Sequence, residues 1–395
     1  MSGSPIAGGH AARRLTIGMF ADTYLPETNG VVTSVVAFAA ALRRRGHRVI
    51  IVAPSHGDDD ETNPDVFFLR STSFPFYPQF RMAFPLPAKI LAMLPQLPFD
   101  IVHAHSFFFI GCLGAYLGRL RKVPLFFTYH TRFSEYAHYL PVHQRVTKSQ
   151  AVWLSREFSN RCDRVITPTK ETAELLRGYG VDKPVDVIPS GVDLHGFDRE
   201  GPTPPAILAA RPGPALLYVG RLGKEKNLDL VFDAVETVLQ ERPDAHFIVV
   251  GDGPYRSELE QRCRRKPLAS HVHFVGELPQ RELGPYYRDA DAFVFGSTTE
   301  TQGLVLLEAL AHDLPVAAVD CPVTREAVGE LAGILTEETS SALASACLEL
   351  LNESPERRAR RRLDARSAAE QFSVDHLATQ LERLYLQAGD LATVQ

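Results

Sequence analysis

Short apolar runs recur along the chain, and many are followed by a polar loop and then by a longer stretch with helical spacing. Residues 15–21 read as a buried strand, 22–30 as a loop, about 31–45 as a helix that Gly46-His47 ends, and 48–54 as a second strand. Strand, helix and strand in that order form a βαβ unit and imply a parallel sheet. Further strands are expected at 100–105, 124–130, 164–167 and 185–189. Around 199–214 the composition shifts to Pro, Gly and Ala, as in a linker. A second series follows: strands at 215–220, 246–251, 272–276, 292–295 and 315–319, helices at 228–242 and 255–265, and a helix opened by Gly303. Residues 340–387 are expected to be mostly helical, with a basic run at 357–362. The pattern predicts an α/β protein of two Rossmann-like domains facing across a cleft, with ligands at the carboxyl ends of the strands. The expected divisions are a disordered 1–13, domains at 14–190 and 191–370, and a C-terminal helix at 371–395 that crosses back to the first domain.

The length, 395 residues, agrees with more than one core. A net charge of −5 argues against a dedicated nucleic-acid binder, though not against a local basic face. The five cysteines are dispersed, without a CxxC pair, which fits buried thiols in a reducing compartment. Residues 1–14 carry no apolar signal-like segment, and the longest apolar candidate, 106–118, is too short to span a bilayer. A cytoplasmic location is expected.

The stretch 295–315 concentrates the chemistry. Glu300 lies in a polar loop after an apolar strand, Gly303 opens an apolar helix, and Glu308 lies within that helix. A helix N-terminus so placed suits an anion, because its first N–H groups lack intrahelical partners and the helix dipole favours negative charge. On one straight helix the two glutamates would stand ~80° and ~12 Å apart, which excludes a close dyad. Glu300 is therefore expected in the loop, accepting hydrogen bonds from a sugar. Glu308, among Leu304, Val305, Leu306, Leu307, Ala309 and Leu310, needs a polar partner and suits a ribose diol.

Arg221, after Gly220, and Lys226 offer a guanidinium fork and a point charge for a diphosphate; the bland alternative is a solvated basic turn. Asn29-Gly30 opens the first helix, either to approach a phosphate or sugar closely or as an ordinary helix start. His103, His105 and His130 sit at strand ends, as substrate-contacting imidazoles or as structural ones. No His/Cys/carboxylate spacing matches a metal cage, and Asp289-Ala290-Asp291 reads as structural.

With these residues, the chain resembles glycosyltransferase family 4, the retaining nucleotide-sugar transferases of GT-B fold. The resemblance runs from residue 15 to about 386. It is carried by Glu300 and Glu308, by Gly220-Arg221 with Lys226-Asn227, by Ile188-Pro189-Ser190-Gly191-Val192-Asp193, by Gly251-Asp252-Gly253-Pro254 and by Asn29-Gly30. It implies that Gly30 approaches the donor phosphate and that Arg221 and Lys226 bind the diphosphate. Glu300 would hold the donor sugar, and His130 would contact it near the reacting carbon. The N–H groups of Gly303, Leu304 and Val305 would bind the distal phosphate, and Glu308 the ribose. Backbone from Gly276 to Leu278 would hold the base.

Residues 129–139 and the loop 299–303 are similar to those of bacterial diacylglycerol glucosyltransferases, implying a UDP-glucose donor and an α-glycolipid product. The resemblance implies no required cofactor and a divalent metal that at most stimulates. Phe68, Phe74, Phe76, Tyr77, Phe80, Phe84 and 107–109, interleaved with Arg70, Arg81, Lys89, Arg119, Arg121, Lys122 and Arg132, suit either an anionic membrane surface or a core. Residues 78–98 are the expected docking face, which would make the protein peripheral at the inner face of the plasma membrane. Three alternatives stay open: a saccharide or polyol acceptor, a UDP-sugar epimerase, and a non-catalytic nucleotide-sugar binder.

Overall fold

The computed structural model describes residues 13–27, 29–57, 63–74, 77–83, 93–131, 144–194, 208, 213–264 and 269–392. Residues 1–12, Phe76, Phe84, Lys89, the stretch 132–139 and most of the expected linker lie outside the described residues, as does an acidic run at 58–61. The chain divides into two compact units, 1–167 with 173–188 and 378–395, and 168–172 with 189–377.

The first unit contains β1 (Thr16–Phe20), α1 (Gly30–Arg44), β2 (Arg48–Pro54), β3 (Val66–Leu69), β4 (Thr72–Phe74), β5 (Tyr77–Met82), β6 (Ile101–Ala104), α2 (Phe109–Arg121), β7 (Leu125–Thr128), α3 (Gln144–Ser159), β8 (Arg164–Thr167), α4 (Lys170–Gly178) and β9 (Val185–Val187). Seven strands form a parallel sheet in the order β3-β2-β1-β6-β7-β8-β9, while β4 and β5 pair as an antiparallel hairpin. Val49, Ile50, Ile51 and Val52 are fully buried in β2, as continuous apolar strands covered on both faces should be. The apolar run at 106–118 contributes most of α2, a helix against β6 and β1.

The second unit contains β10 (Ala215–Val219), α5 (Leu228–Glu241), β11 (His246–Val250), α6 (Arg256–Arg264), β12 (Val272–Gly276), α7 (Gly284–Asp289), β13 (Ala292–Phe295), α8 (Leu304–Ala311), β14 (Val316–Val319), α9 (Pro322–Val328), β15 (Gly333–Thr336), α10 (Ser340–Leu351) and α11 (Pro355–Glu370). Helix α12 (Val374–Ala392) follows. The sheet order is β12-β11-β10-β13-β14-β15, all parallel. Leu228, Val231, Phe232, Val235, Val238 and Leu239 repeat at helical spacing and bury one stripe of α5.

The unit boundaries differ from the expected divisions for visible reasons. Residues 371–377 stay with the second unit, because Val192 N–H donates to Phe372 O at 2.9 Å and Val374 N–H donates to Val192 O at 3.0 Å. Residues 168–172 join the same unit, where the Thr169 hydroxyl donates to Thr301 O at 3.4 Å. From Ala378 onward α12 belongs to the first unit, held there by Glu382 against Arg45 and His47 and by Tyr385 against His103.

Part of the basic run at 357–362 turns inward, while Arg357 and Arg360 stay exposed. Arg358 donates to Leu351 O at 3.0 Å, Arg362 to Ala290 O at 3.1 Å, and Arg366, one turn further, to Ala311 O at 2.6 Å. Each carbonyl lies at the C-terminal end of a helix, where orphan acceptors and the negative end of the dipole favour a cation.

Glycines with positive φ stand at the ends of three adjacent strands: Gly220 just after β10, Gly251 just after β11 and Gly276 as the last residue of β12. At Gly251 (φ +136°) an added Cβ would lie 2.0 Å from Gly220 O, so these backbones cross at a distance only glycine permits. Gly251→Ala is predicted to cost about 3 kcal/mol or more, from steric overlap added to backbone strain. Gly46→Ala, also at positive φ (+93°) but with open space around it, is predicted to cost only about 1 kcal/mol. Denaturant unfolding of the two variants checks both values.

Candidate functional site

In each sheet the strand order reverses once, between β1 and β6 and between β10 and β13. Loops leaving the carboxyl ends of such neighbours diverge and open a crevice. In the second unit these loops carry Arg221 and Lys226 after β10 and Glu300 after β13.

The two loops are laced together. The Ser297 and Thr299 hydroxyls donate to Glu225 O at 3.4 and 3.2 Å, and Asn227 Nδ2 donates to Gly296 O at 3.2 Å. This framework brings Lys226 Nζ onto Glu300 Oε1 in a half-buried ion pair. Arg221 lies nearby, with a guanidinium nitrogen 3.9 Å from Glu225 Oε1. The next loop, Gly251-Asp252-Gly253-Pro254, supports the first: Leu222 N–H donates to Asp252 O and Tyr255 N–H to Leu222 O, both at 2.9 Å.

The loop from Glu300 to Gly303 is pinned from its other side. Gln302 is buried; its Oε1 accepts from Ser190 N–H at 2.7 Å and its Nε2 donates to Ser190 O at 2.9 Å. Gly303 then adopts the left-handed conformation (φ +70°, ψ 59°) and starts α8 with no side-chain cap. The first N–H groups of α8, including those of Leu304 and Val305, are thus left without a capping side chain, beside the Lys226–Glu300 loop.

Glu308 lies inside α8 and is buried. The polar partner its apolar surroundings require is supplied by Tyr287, whose hydroxyl donates to Oε2 at 2.8 Å, and by Gln280, whose Nε2 donates to Oε1 at 3.1 Å. Burial raises its pKa to about 7 against the pull of those two hydrogen bonds. Gly276 ends β12 and Leu278 follows it, with its partly buried side chain packed on the core. Asp289 and Asp291 are structural: Asp291 Oδ2 accepts from Ala215 N–H at 2.8 Å, and Asp289 pairs with Arg288 at 3.2 Å.

In the first unit Gly30 is the first residue of α1. The Asn29 side chain accepts from Val31 and Val32 N–H, each at 3.0 Å. Those two donors are already capped, as in an ordinary helix start, while the backbone at Gly30 itself is exposed. The three histidines form one stack, with ring centroids 4.2 Å apart for His103–His105 and 5.3 Å for His105–His130. His103 is a core residue: Nδ1 meets Tyr385 Oη at 2.6 Å and Nε2 meets Thr128 Oγ1 at 2.7 Å. His130, just beyond β7, keeps partial exposure and bonds His105 Nδ1 through Nε2 at 3.0 Å. Burial holds both His103 and His130 down to about 3, so the stack is neutral at ordinary pH.

Sequence reasoning missed Asp22, Gln302, Tyr287 and Gln280. Asp22 is buried after β1 and accepts from the Ser106 hydroxyl and from Ile110 N–H (2.9 Å), capping α2; burial raises its pKa. Its position after a buried strand was a usable signal. The other three depend on partners 21 to 112 residues away, which no local pattern marks. Among the described residues no group of three or more His, Cys, Asp or Glu could hold a metal ion.

The raised pKa of Glu308 makes a pH prediction. Between its ordinary value of 4.5 and about 7 the folded state binds the extra proton, so this group's contribution is fully present at low pH and is lost as pH rises. Glu308→Gln is predicted to remove that slope. Relative to the parent, its stability should improve between pH 5 and 8 by at most roughly 3 kcal/mol. Unfolding measured across that range checks it; a constant difference would contradict it.

A family profile described as Glycosyltransferase Family 4 matches residues 28–195, and one described as Glycosyl transferases group 1 matches 205–368. The chain is 32% identical over 351 residues to the alpha-monoglucosyldiacylglycerol synthase of Streptococcus pneumoniae, covering 87% of this chain and 79% of that protein. It is 30% identical over 317 residues to the protein of the same name from Acholeplasma laidlawii, covering 76% and 79%. Among solved structures, Anabaena HepE in complex with UDP and glucose superposes with a TM-score of 0.75 at 20% identity, over 95% of this chain and all of that one, which is a likeness of fold.

Proposed function

This chain belongs to glycosyltransferase family 4, a GT-B hexosyltransferase, and we propose that it moves glucose from UDP-glucose to a lipid hydroxyl, most simply that of diacylglycerol, with retention of the α-configuration. The observation that carries the proposal is the Lys226–Glu300 pair beside the uncapped start of α8, with Arg221 adjoining. A departing nucleoside diphosphate concentrates negative charge on its phosphates. Arg221, Lys226 and the N–H groups of Gly303, Leu304 and Val305 are suited to receive it, which stabilises charge where it develops. When Lys226 turns to the phosphates, Glu300 is released to accept hydrogen bonds from the sugar.

In this reading the bond from the anomeric carbon to the diphosphate oxygen breaks. The acceptor oxygen bonds to that carbon on the same face, and its proton passes to a phosphate oxygen. Neutral His130 contacts the sugar near the reacting carbon, and the exposed backbone at Gly30 approaches the donor phosphate. Glu308 takes the ribose, and backbone near Leu278 the base. The protein's own cations supply the positive charge, so a divalent ion is at most stimulatory.

The lipid acceptor is supported by the names of the two relatives and by the surface of the first unit. Helix α2 exposes Tyr116 and Leu120 beside Arg119, Arg121 and Lys122, and α3 exposes Trp153 and Leu154 near Lys148. Aromatic and aliphatic groups among cations suit shallow insertion at an anionic membrane, and we place the protein peripherally at the cytoplasmic leaflet. Part of the expected docking face at residues 78–98 lies outside the described residues. Phe107 is buried, so the run 107–109 is only partly surface. Among the described residues no helix is long and apolar enough to cross a membrane.

Arg221→Ala and Lys226→Ala are each predicted to lower kcat/KM by about 100-fold or more, a loss of roughly 3 kcal/mol of transition-state stabilisation, with the circular dichroism spectrum unchanged. Near-parental turnover in both variants would refute the phosphate assignment. The substrate reading is checked with radiolabelled UDP-glucose and UDP-galactose, with and without diacylglycerol vesicles, followed by resolution of the lipids. Labelled lipid from UDP-glucose is the expected result. Labelled soluble product alone would move the acceptor to a saccharide or polyol, an isomerised sugar without acceptor would indicate an epimerase, and UDP binding without turnover would indicate a non-catalytic binder.

A further inference from the structure

Glu308 presents a carboxylate that is held before any ligand arrives. Tyr287 Oη reaches Oε2 at 2.8 Å and Gln280 Nε2 reaches Oε1 at 3.1 Å. Tyr287 is fully buried, with its ring stacked on His312 at 5.2 Å between centroids and tilted over Phe293 at 5.9 Å. His312 Nδ1 in turn bonds Glu308 O at 2.8 Å. Side chain, backbone turn and aromatic support therefore close into one ring of contacts: Glu308 to Tyr287, Tyr287 to His312, and His312 back to Glu308.

We propose that Tyr287 and Gln280 are positioning residues for donor binding, each holding one oxygen of Glu308 so that the carboxylate meets a ribose diol in a fixed plane. The proposal rests on the reading of Glu308 as the ribose ligand. A carboxylate has about four lone-pair directions over its two oxygens. Tyr287 and Gln280 use one on each oxygen, leaving one on each for the two adjacent hydroxyls of a ribose. Two parallel hydrogen bonds to a vicinal diol need both oxygens correctly aimed, and a free glutamate would lose rotamer freedom on binding. Gln280 stands two residues beyond the segment Gly276 to Leu278 assigned to the base, so its amide also ties the chain just after that segment to the ribose carboxylate.

A purely structural role for Tyr287, a core hydroxyl that needs an acceptor, makes a different forecast: lost stability with donor selectivity unchanged. The test compares Tyr287→Phe and Gln280→Ala with the parent, using UDP-glucose and its 2′-deoxyuridine counterpart as donors, and reads KM, kcat and the unfolding midpoint. The parent is expected to favour the ribose donor by about 10-fold or more in kcat/KM, as a site built around a hydroxyl should. Each variant is expected to raise the KM for UDP-glucose about 5-fold with kcat within about twofold, and to narrow the preference to about threefold. If the parent discriminates and both variants discriminate equally well, the positioning role is overturned while the ribose assignment stands. If the parent itself does not discriminate, the ribose assignment fails and the proposal falls with it. Should Tyr287→Phe not fold, the partly exposed Gln280→Ala decides the same question.

Discussion

The second unit depends on the lacing of the β10 loop to the β13 loop. Strand order reverses there, so the loops diverge by topology, and nothing in a parallel sheet alone would bring their side chains back together. Three hydrogen bonds to main-chain carbonyls, from Ser297, Thr299 and Asn227, close the gap. Lys226 and Glu300 meet as a consequence. An exposed Lys–Glu pair contributes little to stability; this one is half-buried and its two partners stand on tethered loops. The Gln302–Ser190 double hydrogen bond serves the same loop from the other side and sets where α8 begins.

The charged and neutral groups are distributed with a consistent logic. Cations gather at the uncapped helix start, where a diphosphate is expected. His103, His105 and His130 are grouped ring to ring and desolvated, which keeps them uncharged. In α11, Arg358, Arg362 and Arg366 are engaged by carbonyls at helix ends and Arg361 by Glu353.

Much of this was legible from the chain. The alternation of apolar runs with helical stretches yielded the two parallel sheets, since a continuous Val/Ile run such as 48–54 is compatible with few environments other than a doubly covered strand. Glu300, Glu308, Arg221 and Lys226 stood out because charge placed beside an apolar run needs a reason. The hairpin at β4 and β5 escaped notice, as did α4 and α7: short elements carry weak periodicity. His103 and His130 looked alike in sequence, each at a strand end. One became a core residue because Tyr385, from the far end of the chain, covers it.

What the sequence determined by itself was the period of each segment and the kind of chemistry each loop carries, because both are written in neighbours a few residues apart. Which glutamate would be paired with a cation and which with a phenol, which histidine would be covered, and which N–H groups would stay uncapped were decided by the tertiary structure alone. Those outcomes rest on contacts across 74 residues for Lys226 and Glu300, 112 for Ser190 and Gln302, and 282 for His103 and Tyr385. A local pattern holds no information about such separations, and only packing brings these partners within hydrogen-bond reach.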